Sequence, residues 1–389
     1  MTKARRYDVV LYGATGYTGG LVAEYLAQVA VRENLRWALA GRCRDKLEYV
    51  RQNLPFKEAQ AIPDLILADS HDQASMLHLV QQTKVVISTV GPYRLLGEPL
   101  VRACAESGTH YVDLTGEPNF VRDIRSKYHD LAVTKRACLV PSCGFESIPP
   151  DMGVLYTLQQ LRQQLGEDRF DHASIEILGG VEAGGKFSGG TWASALHAMA
   201  EGMSPHLRHA PDHVHRLSSR PRYLAELRRW AIPLPTIDGD VVRQSARCRN
   251  DYGTSFSYGH FLLGRKLLPM LAGAAGVVGI VAMAQIKPAR QWMMKRLPQG
   301  EGPTAQQRSQ GWFRLHFLAE ADGLHLRTMV SGGDPGYGET AKMLSEAALT
   351  LARHEGVQGA YGVLTPAAAL GEAMIGRLQR AGIAFNLMS

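Results

Sequence analysis

The chain has 389 residues, of which 45% are hydrophobic and 20% charged, and 40 of them are glycine. This composition excludes an intrinsically disordered chain and a collagen-like repeat, and the length suffices for about two domains with a sizeable core. The 43 basic and 36 acidic residues give a net charge of +7, and the five cysteines form no CxxC pair, which argues against a disulfide framework, a zinc ribbon and a thioredoxin-type site.

The first third of the chain alternates short apolar runs with segments of helical spacing. The runs predict strands at 7–12, 37–40, 65–68, 85–90, 111–114 and 138–140. Helical spacing separates several of them, first after residue 18 and again at 76–80. Strands that alternate with helices indicate βαβ units. We therefore predict an α/β fold class, with an N-terminal Rossmann-type parallel sheet over residues 1–145.

The remainder of the chain has a different pattern. Strands are predicted at 173–178, 241–246, 254–263 and 311–330, the last as a hairpin that turns at Asp322-Gly323. This mixture indicates a second, α+β substrate domain over 146–335, in which the His-, Arg- and Pro-rich segment 204–235 is expected to be an exposed excursion. Helices at 341–353 and 366–378 predict a C-terminal helical return, 336–389, that packs near the first domain.

Three glycines follow the first predicted strand and precede the first predicted helix. Gly13, Gly16 and Gly19 have the spacing GxxGxxG, a variant of the dinucleotide-binding fingerprint. A turn without Cβ atoms lets backbone N–H groups approach a pyrophosphate, and the helix N-terminus adds partial positive charge. We therefore predict cofactor contacts from the whole turn: Gly13, Ala14, Thr15, Gly16, Tyr17, Thr18 and Gly19.

The end of the second predicted strand indicates which dinucleotide is bound. NAD-preferring folds usually carry an acidic residue there, whereas this chain has Arg42. A guanidinium can pair with a 2′-phosphate, so NADP(H) is the predicted cofactor. A solvated arginine at the start of a surface helix is the alternative. Further cofactor contacts are predicted where the third and fourth strands end, at Asp69, Ser70, Thr89, Gly91 and Pro92.

Longer motifs occur in a fixed order along nearly the whole chain. They are GATGYTG (13–19), STVGPYRLLGEP (88–99), GTHYVDLTGE (108–117), PSCGFESIPPDMG (141–153), GGTWASAL (189–196), GDPGYGETAKMLSEAAL (333–349) and GVLTPAAALG (362–371). In these motifs the chain resembles the saccharopine dehydrogenase-like oxidoreductase family, most closely its trans-acting enoyl reductase branch. The resemblance implies an NADP-binding Rossmann domain, a mixed substrate domain, and NADPH-dependent reduction of a carbon–carbon double bond in a lipid or polyketide-type acyl chain.

Catalytic candidates are sought where the parallel strands end, because such folds bind ligands there. Tyr93 follows the fourth strand and is a candidate proton donor, with an aromatic lid over the cofactor as the alternative. Asp113 and Glu117 are four residues apart and suit acid–base work or, as the favoured interpretation, a hydrogen-bonded loop clamp. Cys143 is the second catalytic candidate, although no histidine neighbours it in sequence and a packing role is more typical.

Substrate contacts are predicted at Tyr93, Glu117 and Cys143, and in a glycine-rich segment further along. In that segment Lys186 and Thr191 suit an anionic head group or phosphate, while a flexible substrate loop explains its glycines equally well. Four histidines, at 206, 209, 213 and 215, match no standard metal spacing, so no metal is predicted.

Residues 267–286 contain no charged side chain, although the segment 265–296 around them carries six basic residues and no acidic one. This local charge favours an anionic surface over nucleic acid as the partner. The predicted strands on either side would join one sheet, which argues against a membrane crossing. A shallow or re-entrant membrane insertion, an acyl-binding element and a buried core helix remain open. We expect an interfacial helix beside anionic lipid, with core or homo-oligomer packing as the alternative.

These patterns together predict an NADPH-dependent enoyl reductase that takes a hydrophobic acyl substrate, either free or carrier-bound. Because the apolar run near the start is too short for a signal peptide, a cytoplasmic protein, peripheral on the inner face of a membrane, is expected. A reductase of an imine or amino-acid-like substrate is the alternative enzyme. A non-catalytic NADPH-binding scaffold on lipid surfaces is the alternative from another class, since no unmistakable acid–base pair stands out.

Overall fold

A computed structural model describes residues 5–56, 62–184, 213–286, 289, 292 and 302–388. One of its two sheets is parallel, with seven strands in the order β3-β2-β1-β4-β5-β6-β14. The strands are β1 (Tyr7–Tyr12), β2 (Trp37–Gly41), β3 (Asp64–Leu67), β4 (Thr83–Ser88), β5 (His110–Asp113), β6 (Cys138–Val140) and β14 (Gly362–Val363). The order reverses between β1 and β4, and open α/β sheets bind their ligands at such a switch point.

Helices cover both faces of this sheet, as expected for strands that are buried on both sides. They are α1 (Tyr17–Val29), α2 (Arg44–Gln52), α3 (Gln73–Gln81), α4 (Tyr93–Leu96), α5 (Glu98–Ser107) and α6 (Pro118–Lys135). All six residues of β1 are buried, because the run YDVVLY packs on both faces. The predicted α/β class and Rossmann-type sheet are confirmed.

The second sheet is mixed and follows the order β15-β13-β12-β7-β11-β10-β9, with β8 paired to β11. Its strands are β7 (Ser174–Gly184), β8 (Val214–Arg216), β9 (Arg222–Leu224), β10 (Arg229–Pro233), β11 (Ser255–Gly264), β12 (Trp312–Ala321), β13 (Leu324–Gly332) and β15 (Ala384–Met388). The hairpin predicted at Asp322-Gly323 is confirmed. Both residues have positive φ, 49° and 75°, as a type I′ turn requires.

The described residues after 145 form seven further helices. They are α7 (Ile148–Leu165), α8 (Glu167–His172), α9 (Asp238–Cys248), α10 (Leu267–Ala284), α11 (Ala305–Arg308), α12 (Gly338–Ala352) and α13 (Pro366–Arg380). Helix α7 lies tightly on the second sheet. A Cβ at Gly153 would stand 2.2 Å from the Phe317 ring on β12, so only glycine permits this approach.

Three predictions are corrected. The strand at 241–246 is wrong: the segment is helix α9, whose buried residues Val242, Ser245 and Ala246 share one helical face. The described part of 204–235 contributes the strands β8, β9 and β10 and is therefore more than an exposed excursion. The C-terminal return also includes strands, because β14 extends the first sheet and β15 extends the second.

The C-terminal helices pack against the first domain through a buried ion-pair network. Arg377 on α13 is 3% exposed and lies 2.9 Å from Glu346 on α12 and 3.1 Å from Glu33, which follows α1. Tyr25 on α1 also donates a 2.6 Å hydrogen bond to Glu346. These contacts connect elements more than 300 residues apart and confirm the predicted packing of the C-terminal helices.

Helix α10 corresponds to the uncharged segment, and none of its described side chains is buried. The interpretation as a buried core helix is therefore wrong for the single chain. In the described residues, no helix combines the length and the apolarity that a membrane crossing requires.

Replacing Arg377 by Ala is expected to destabilise the fold by roughly 3–5 kcal/mol, because it leaves the Glu346 carboxylate buried without its cation. Urea denaturation measures the free energy of unfolding. Arg380→Ala is the matched control, since Arg380 is exposed on the same helix. Equal stability of the two variants would contradict the role given to this network.

Candidate functional site

In the glycine turn at the end of β1, the backbone lies so close to neighbouring groups that a side chain at Gly13 or Gly19 would collide with them. A Cβ at Gly19 would lie 2.1 Å from the Gly13 carbonyl oxygen. Gly13 itself has φ +96°, and its Cβ would stand 2.6 Å from the Thr89 hydroxyl beyond β4. The Thr89 hydroxyl hydrogen-bonds to the Gly13 carbonyl at 3.1 Å. The turn therefore lies across the β1–β4 switch point.

Helix α1 begins at this turn without a side-chain cap. Its N-cap is Gly16, no side chain accepts a hydrogen bond there, and its first turn contains no acidic residue. Thr15 and Gly16 are exposed, whereas Ala14 is buried. Uncapped N–H groups and the positive end of the helix dipole suit an anion, so this cradle fits the pyrophosphate of a dinucleotide.

Tyr17, the first residue of α1, points away from the cradle. Its hydroxyl donates to the carbonyl of Pro303 and accepts a 2.8 Å hydrogen bond from Arg308. Its ring packs edge-on against Tyr337, with 5.1 Å between the centroids. The Tyr17 side chain thus connects the segment after residue 302 to the turn. The neighbouring Thr18 is half-buried.

Arg42 stands in the exposed position immediately beyond β2 that a 2′-phosphate contact requires. Close by, β3 ends at Leu67, earlier than predicted. Asp69 and Ser70 lie in the loop that follows the strand. The Ser70 N–H donates to the Tyr12 hydroxyl at 2.9 Å, and the Asp69 carboxylate accepts from the His71 N–H. Tyr12, which the sequence analysis did not single out, therefore connects the ends of β1 and β3.

Gly91 is exposed and Pro92 is buried just before Tyr93. The Tyr93 hydroxyl donates to the Ser88 carbonyl at 3.0 Å, and its ring packs near Phe120. Burial raises the pKa of Tyr93 well above its usual value. This placement favours a structural role over that of a proton donor or a lid.

Asp113 and Glu117 act as clamps, in agreement with the favoured interpretation. Glu117 accepts hydrogen bonds from the N–H groups of Tyr93 and Arg94, at 3.0 and 2.9 Å. Asp113 accepts from the N–H groups of Thr115 and Ser142 and from the Tyr111 hydroxyl, all within 2.9 Å. Burial raises the pKa of Asp113 to about 6, although these three donors oppose the shift.

The loop after β6 carries Cys143 and Glu146. Cys143 is fully buried, and burial raises the pKa of its thiol well above the usual value, so the thiol stays protonated and suits packing. Glu146 is half-buried and accepts a 3.1 Å hydrogen bond from the Gly144 N–H. Burial, with repulsion from Asp238 and Asp113, raises the pKa of Glu146 to about 8. Glu146 therefore carries a proton at neutral pH.

Glu146 lies at the junction of the two sheets. The adjacent Phe145 packs against Phe313 on β12, with 5.0 Å between the ring centroids, and its N–H donates to Thr340 on α12. From the second sheet, His260 lies 3.9 Å from the Asp238 carboxylate. The junction thus combines a protonated carboxyl group, aromatic walls and a buried His–Asp pair.

Helix α9 and strand β11 supply residues that sequence reasoning missed. Asp238 and His260 are 22 positions apart and belong to no motif, so no local signal indicated them. Glu146 lies in the motif PSCGFESIPPDMG, but its pKa depends on contacts that spacing does not reveal. Lys186, Thr191, His206 and His209 lie outside the described residues. Within the described ranges, no three His, Cys, Asp or Glu side chains are grouped to hold a metal.

Comparison with known proteins supports the cofactor directly. Residues 9–140 match the family described as the saccharopine dehydrogenase NADP-binding domain. NADP(H) is therefore the cofactor, and the glycine cradle on β1 and α1 lies within the matched residues.

Full-length relatives carry two kinds of name. A Mycobacterium tuberculosis protein provisionally named a trans-acting enoyl reductase is 34% identical, over 98% of this chain and 97% of that protein. The trans-acting enoyl reductase of Mycobacterium bovis is 31% identical, over 97% of each chain. The human saccharopine dehydrogenase-like oxidoreductase is 29% identical, over 100% of this chain and 99% of that protein.

A solved structure matches the fold as a whole. Apo saccharopine dehydrogenase (L-Glu forming) from Saccharomyces cerevisiae aligns with a TM-score of 0.56 over 98% of this chain and 99% of that chain. Its sequence identity is 10%, so the likeness concerns the arrangement of the two sheets alone.

Gly19→Ala is expected to lower NADPH affinity by more than about tenfold, because the added methyl group collides with the Gly13 carbonyl and opens the cradle. Isothermal titration calorimetry measures the affinity. Gly20→Ala is the matched control, since a Cβ there meets no atom within 4 Å. Unchanged binding by Gly19→Ala would show that the cofactor lies elsewhere.

Arg42→Ala is expected to weaken NADPH binding by about 10- to 100-fold while leaving NADH binding nearly unchanged, because a charge-assisted contact to the 2′-phosphate is lost. Fluorescence titration with both nucleotides measures this selectivity. Arg51→Ala, near the end of α2, is the control. Equal losses for NADPH and NADH would contradict the assignment of Arg42 to the phosphate.

Proposed function

Because this chain belongs to the saccharopine dehydrogenase-like oxidoreductase family and is an NADP-dependent oxidoreductase, we propose that it reduces a carbon–carbon double bond conjugated to a carbonyl in a hydrophobic acyl substrate. The observation that carries the proposal is the position of Glu146 at the junction of the two sheets, next to the Phe145–Phe313 pair, where burial raises the pKa of its carboxyl group to about 8. Enoyl reduction needs a hydride at one alkene carbon and a proton at the other. The names of the bacterial relatives support the same reaction class.

The cofactor half of the reaction rests on the glycine cradle. Gly13, Gly16 and the N-terminus of α1 would hold the pyrophosphate, and Arg42 would hold the 2′-phosphate. When bound, NADPH supplies the hydride. The Thr89 hydroxyl donates to the Gly13 carbonyl and so holds the ends of β1 and β4 together at the site where the cofactor would bind.

Glu146 is the proposed proton donor. Its neighbours Asp113 and Glu117 use their oxygens to accept hydrogen bonds from main-chain and side-chain donors, which holds the surrounding loops in place. Glu146 accepts hydrogen bonds from two main-chain N–H groups, its own and that of Gly144, and burial and nearby carboxylates still raise its pKa, so its carboxyl group can give up a proton near neutral pH. A carboxyl group whose pKa lies near the working pH is an effective general acid.

The acyl chain would lie against the aromatic side chains beside this acid. Phe145 is half-buried and offers an apolar surface where the first sheet meets the second, with the buried ring of Phe313 packed behind it. In a thioester substrate the carbonyl group would lie next to the double bond that is reduced, and the carrier itself would remain outside the junction. Delivery of substrate by a separate carrier agrees with the term "trans-acting" in the names of the relatives.

A second candidate function is reduction of an imine in an amino-acid-like substrate. The observation that favours it is a buried polar group between α9 and β11, formed by Asp238 and Arg243 on the helix and His260 on the strand. Arg243, however, already pairs with Asp240 at 2.5 Å and hydrogen-bonds to the Tyr258 carbonyl. Most of the N–H donors of Arg243 thus bind other residues of the protein and do not face a substrate. This favours the acyl substrate.

The hydrophobic substrate accounts for the proposed location. We propose a cytoplasmic enzyme that is peripheral on the inner face of a membrane, where long acyl chains accumulate. The apolar, exposed helix α10 and the basic residues around it support this location.

The reaction is tested by mixing the protein with NADPH and either α,β-unsaturated acyl thioesters or cyclic imines, and following the loss of NADPH absorbance. Oxidation with the thioesters and not with the imines is expected. Oxidation with imines alone would replace the proposed function by the second candidate. Oxidation with neither, by protein that binds NADPH, would overturn both.

Glu146→Gln is expected to lower kcat by about 10²- to 10⁴-fold with little change in NADPH affinity, because the amide cannot donate the proton. In the parent enzyme kcat/KM should fall above pH 8, by about tenfold per pH unit, since the acid must be protonated to act. The variant should lack this decline.

Stopped-flow kinetics with a saturated cofactor measures the rates. Glu320→Gln, on an exposed site of β12, is the control for loss of a carboxylate. If Glu146→Gln keeps both the parent rate and the decline above pH 8, another group is the acid.

A further inference from the structure

The segment between β11 and β12 leaves the second sheet and returns to the same end of it. Strand β7 lies between these two strands: Leu262 on β11 pairs with Val181 in parallel, and Trp312 on β12 pairs with Gly184 in antiparallel register. The last residues of β11 and the first residue of β12 therefore meet beside the end of β7. Residues 265–311, the excursion, start and finish on one side of the protein.

Helix α10 within the excursion presents apolar groups in every direction. Leu268 is 80% exposed, Val278 67% and Ile286, just after the helix, 58%. A Cβ added at Gly273, Gly276 or Gly279 would meet no atom within 4 Å, so no described part of the chain packs there. An amphipathic surface helix has a polar face, whereas an apolar helix without one needs an apolar environment.

The charges at the beginning of α10 identify that environment. Lys266 is the N-cap residue, it makes no side-chain cap hydrogen bond, and both it and Arg265 are exposed. Cations at the positive end of a helix are unfavourable in water, but anionic head groups would neutralise them. The sequence adds four more basic residues and no acidic one up to residue 296.

The end of the excursion lies on the cofactor turn. The ring of Tyr17 lies beside Gly302, its hydroxyl donates to the Pro303 carbonyl, and Arg308 donates to that hydroxyl at 2.8 Å. Tyr17 is the first residue of α1, at the edge of the nucleotide cradle. A surface that receives α10 would therefore lie near the nucleotide cradle.

We infer that α10 is a membrane-docking element: it embeds shallowly in one leaflet of an anionic phospholipid bilayer, Arg265 and Lys266 bind lipid head groups, and the nucleotide cradle lies close to the bilayer. The two ends of the excursion on one side of the protein suit insertion and return, not passage. This inference concerns docking alone and does not depend on which substrate is reduced.

The test is flotation of the full-length protein with vesicles of phosphatidylcholine alone or of phosphatidylcholine with phosphatidylglycerol. We expect flotation with the anionic vesicles, and little with the neutral ones. The double variant Leu268→Glu, Val278→Glu should bind anionic vesicles at least about tenfold more weakly, because it places two carboxylates in the bilayer. Arg265→Glu with Lys266→Glu should abolish the preference for anionic lipid.

Val133→Glu is the matched control, because Val133 is an exposed apolar residue on α6, in the first domain. It should float like the parent protein. NADPH titration of every variant reports whether the first domain remains intact, and all should bind NADPH as the parent does.

Three outcomes would overturn the inference. The first is that the parent protein does not float with anionic vesicles. The second is that the parent and the α10 double variant float equally. The third is that the parent does not bind vesicles but forms a dimer in sedimentation equilibrium, whereas the double variant is a monomer. The last would make α10 an interface between two copies of the chain. Parent protein that floats but oxidises no NADPH with acyl thioesters would overturn the proposed reaction and leave the docking element standing.

Discussion

The close approach of two backbone segments at the end of β1 governs the rest of the structure. Because the Gly13 carbonyl lies where a Cβ of Gly19 would be, α1 can start directly above the point where the strand order reverses. The same approach brings Thr89 into hydrogen-bonding distance and leaves the N-terminus of α1 without a cap. Cofactor binding and sheet topology are thus consequences of one steric requirement.

Carboxyl groups along the edge of the parallel sheet differ in role because their hydrogen-bond partners differ. Asp113 and Glu117 accept bonds from several donors and hold the loops that follow β4, β5 and β6. Glu146 accepts only from main-chain N–H groups and is repelled by Asp238 on α9 and by Asp113, so its pKa rises further than that of Asp113. Residue type alone does not distinguish the clamps from the acid.

The second sheet links this chemistry to the surface of the molecule. Its inner face carries Phe313 and His260 to the junction, and the end of β7 is the point from which the excursion leaves and to which it returns. An exposed apolar helix is costly in water, since each Å² of apolar surface left in contact with water forgoes about 25 cal/mol. The proposed docking to a bilayer would remove this cost by giving the exposed apolar side chains of α10 an apolar surface to contact.

The sequence by itself determined the features that depend on neighbours along the chain: the strands of the first sheet, the turn from Gly13 to Gly19 and the hairpin at Asp322-Gly323. Local patterns predicted the wrong secondary structure where tertiary contacts outweighed them. The β-branched residues Val241 and Val242 suggested a strand, but they lie in helix α9, whose buried face packs into the protein interior. Only the tertiary structure decided that Tyr93 is buried, that α10 is exposed and that Glu146 holds a proton. Burial, exposure and pKa are set by groups far away in sequence, and spacing along the chain carries no information about them.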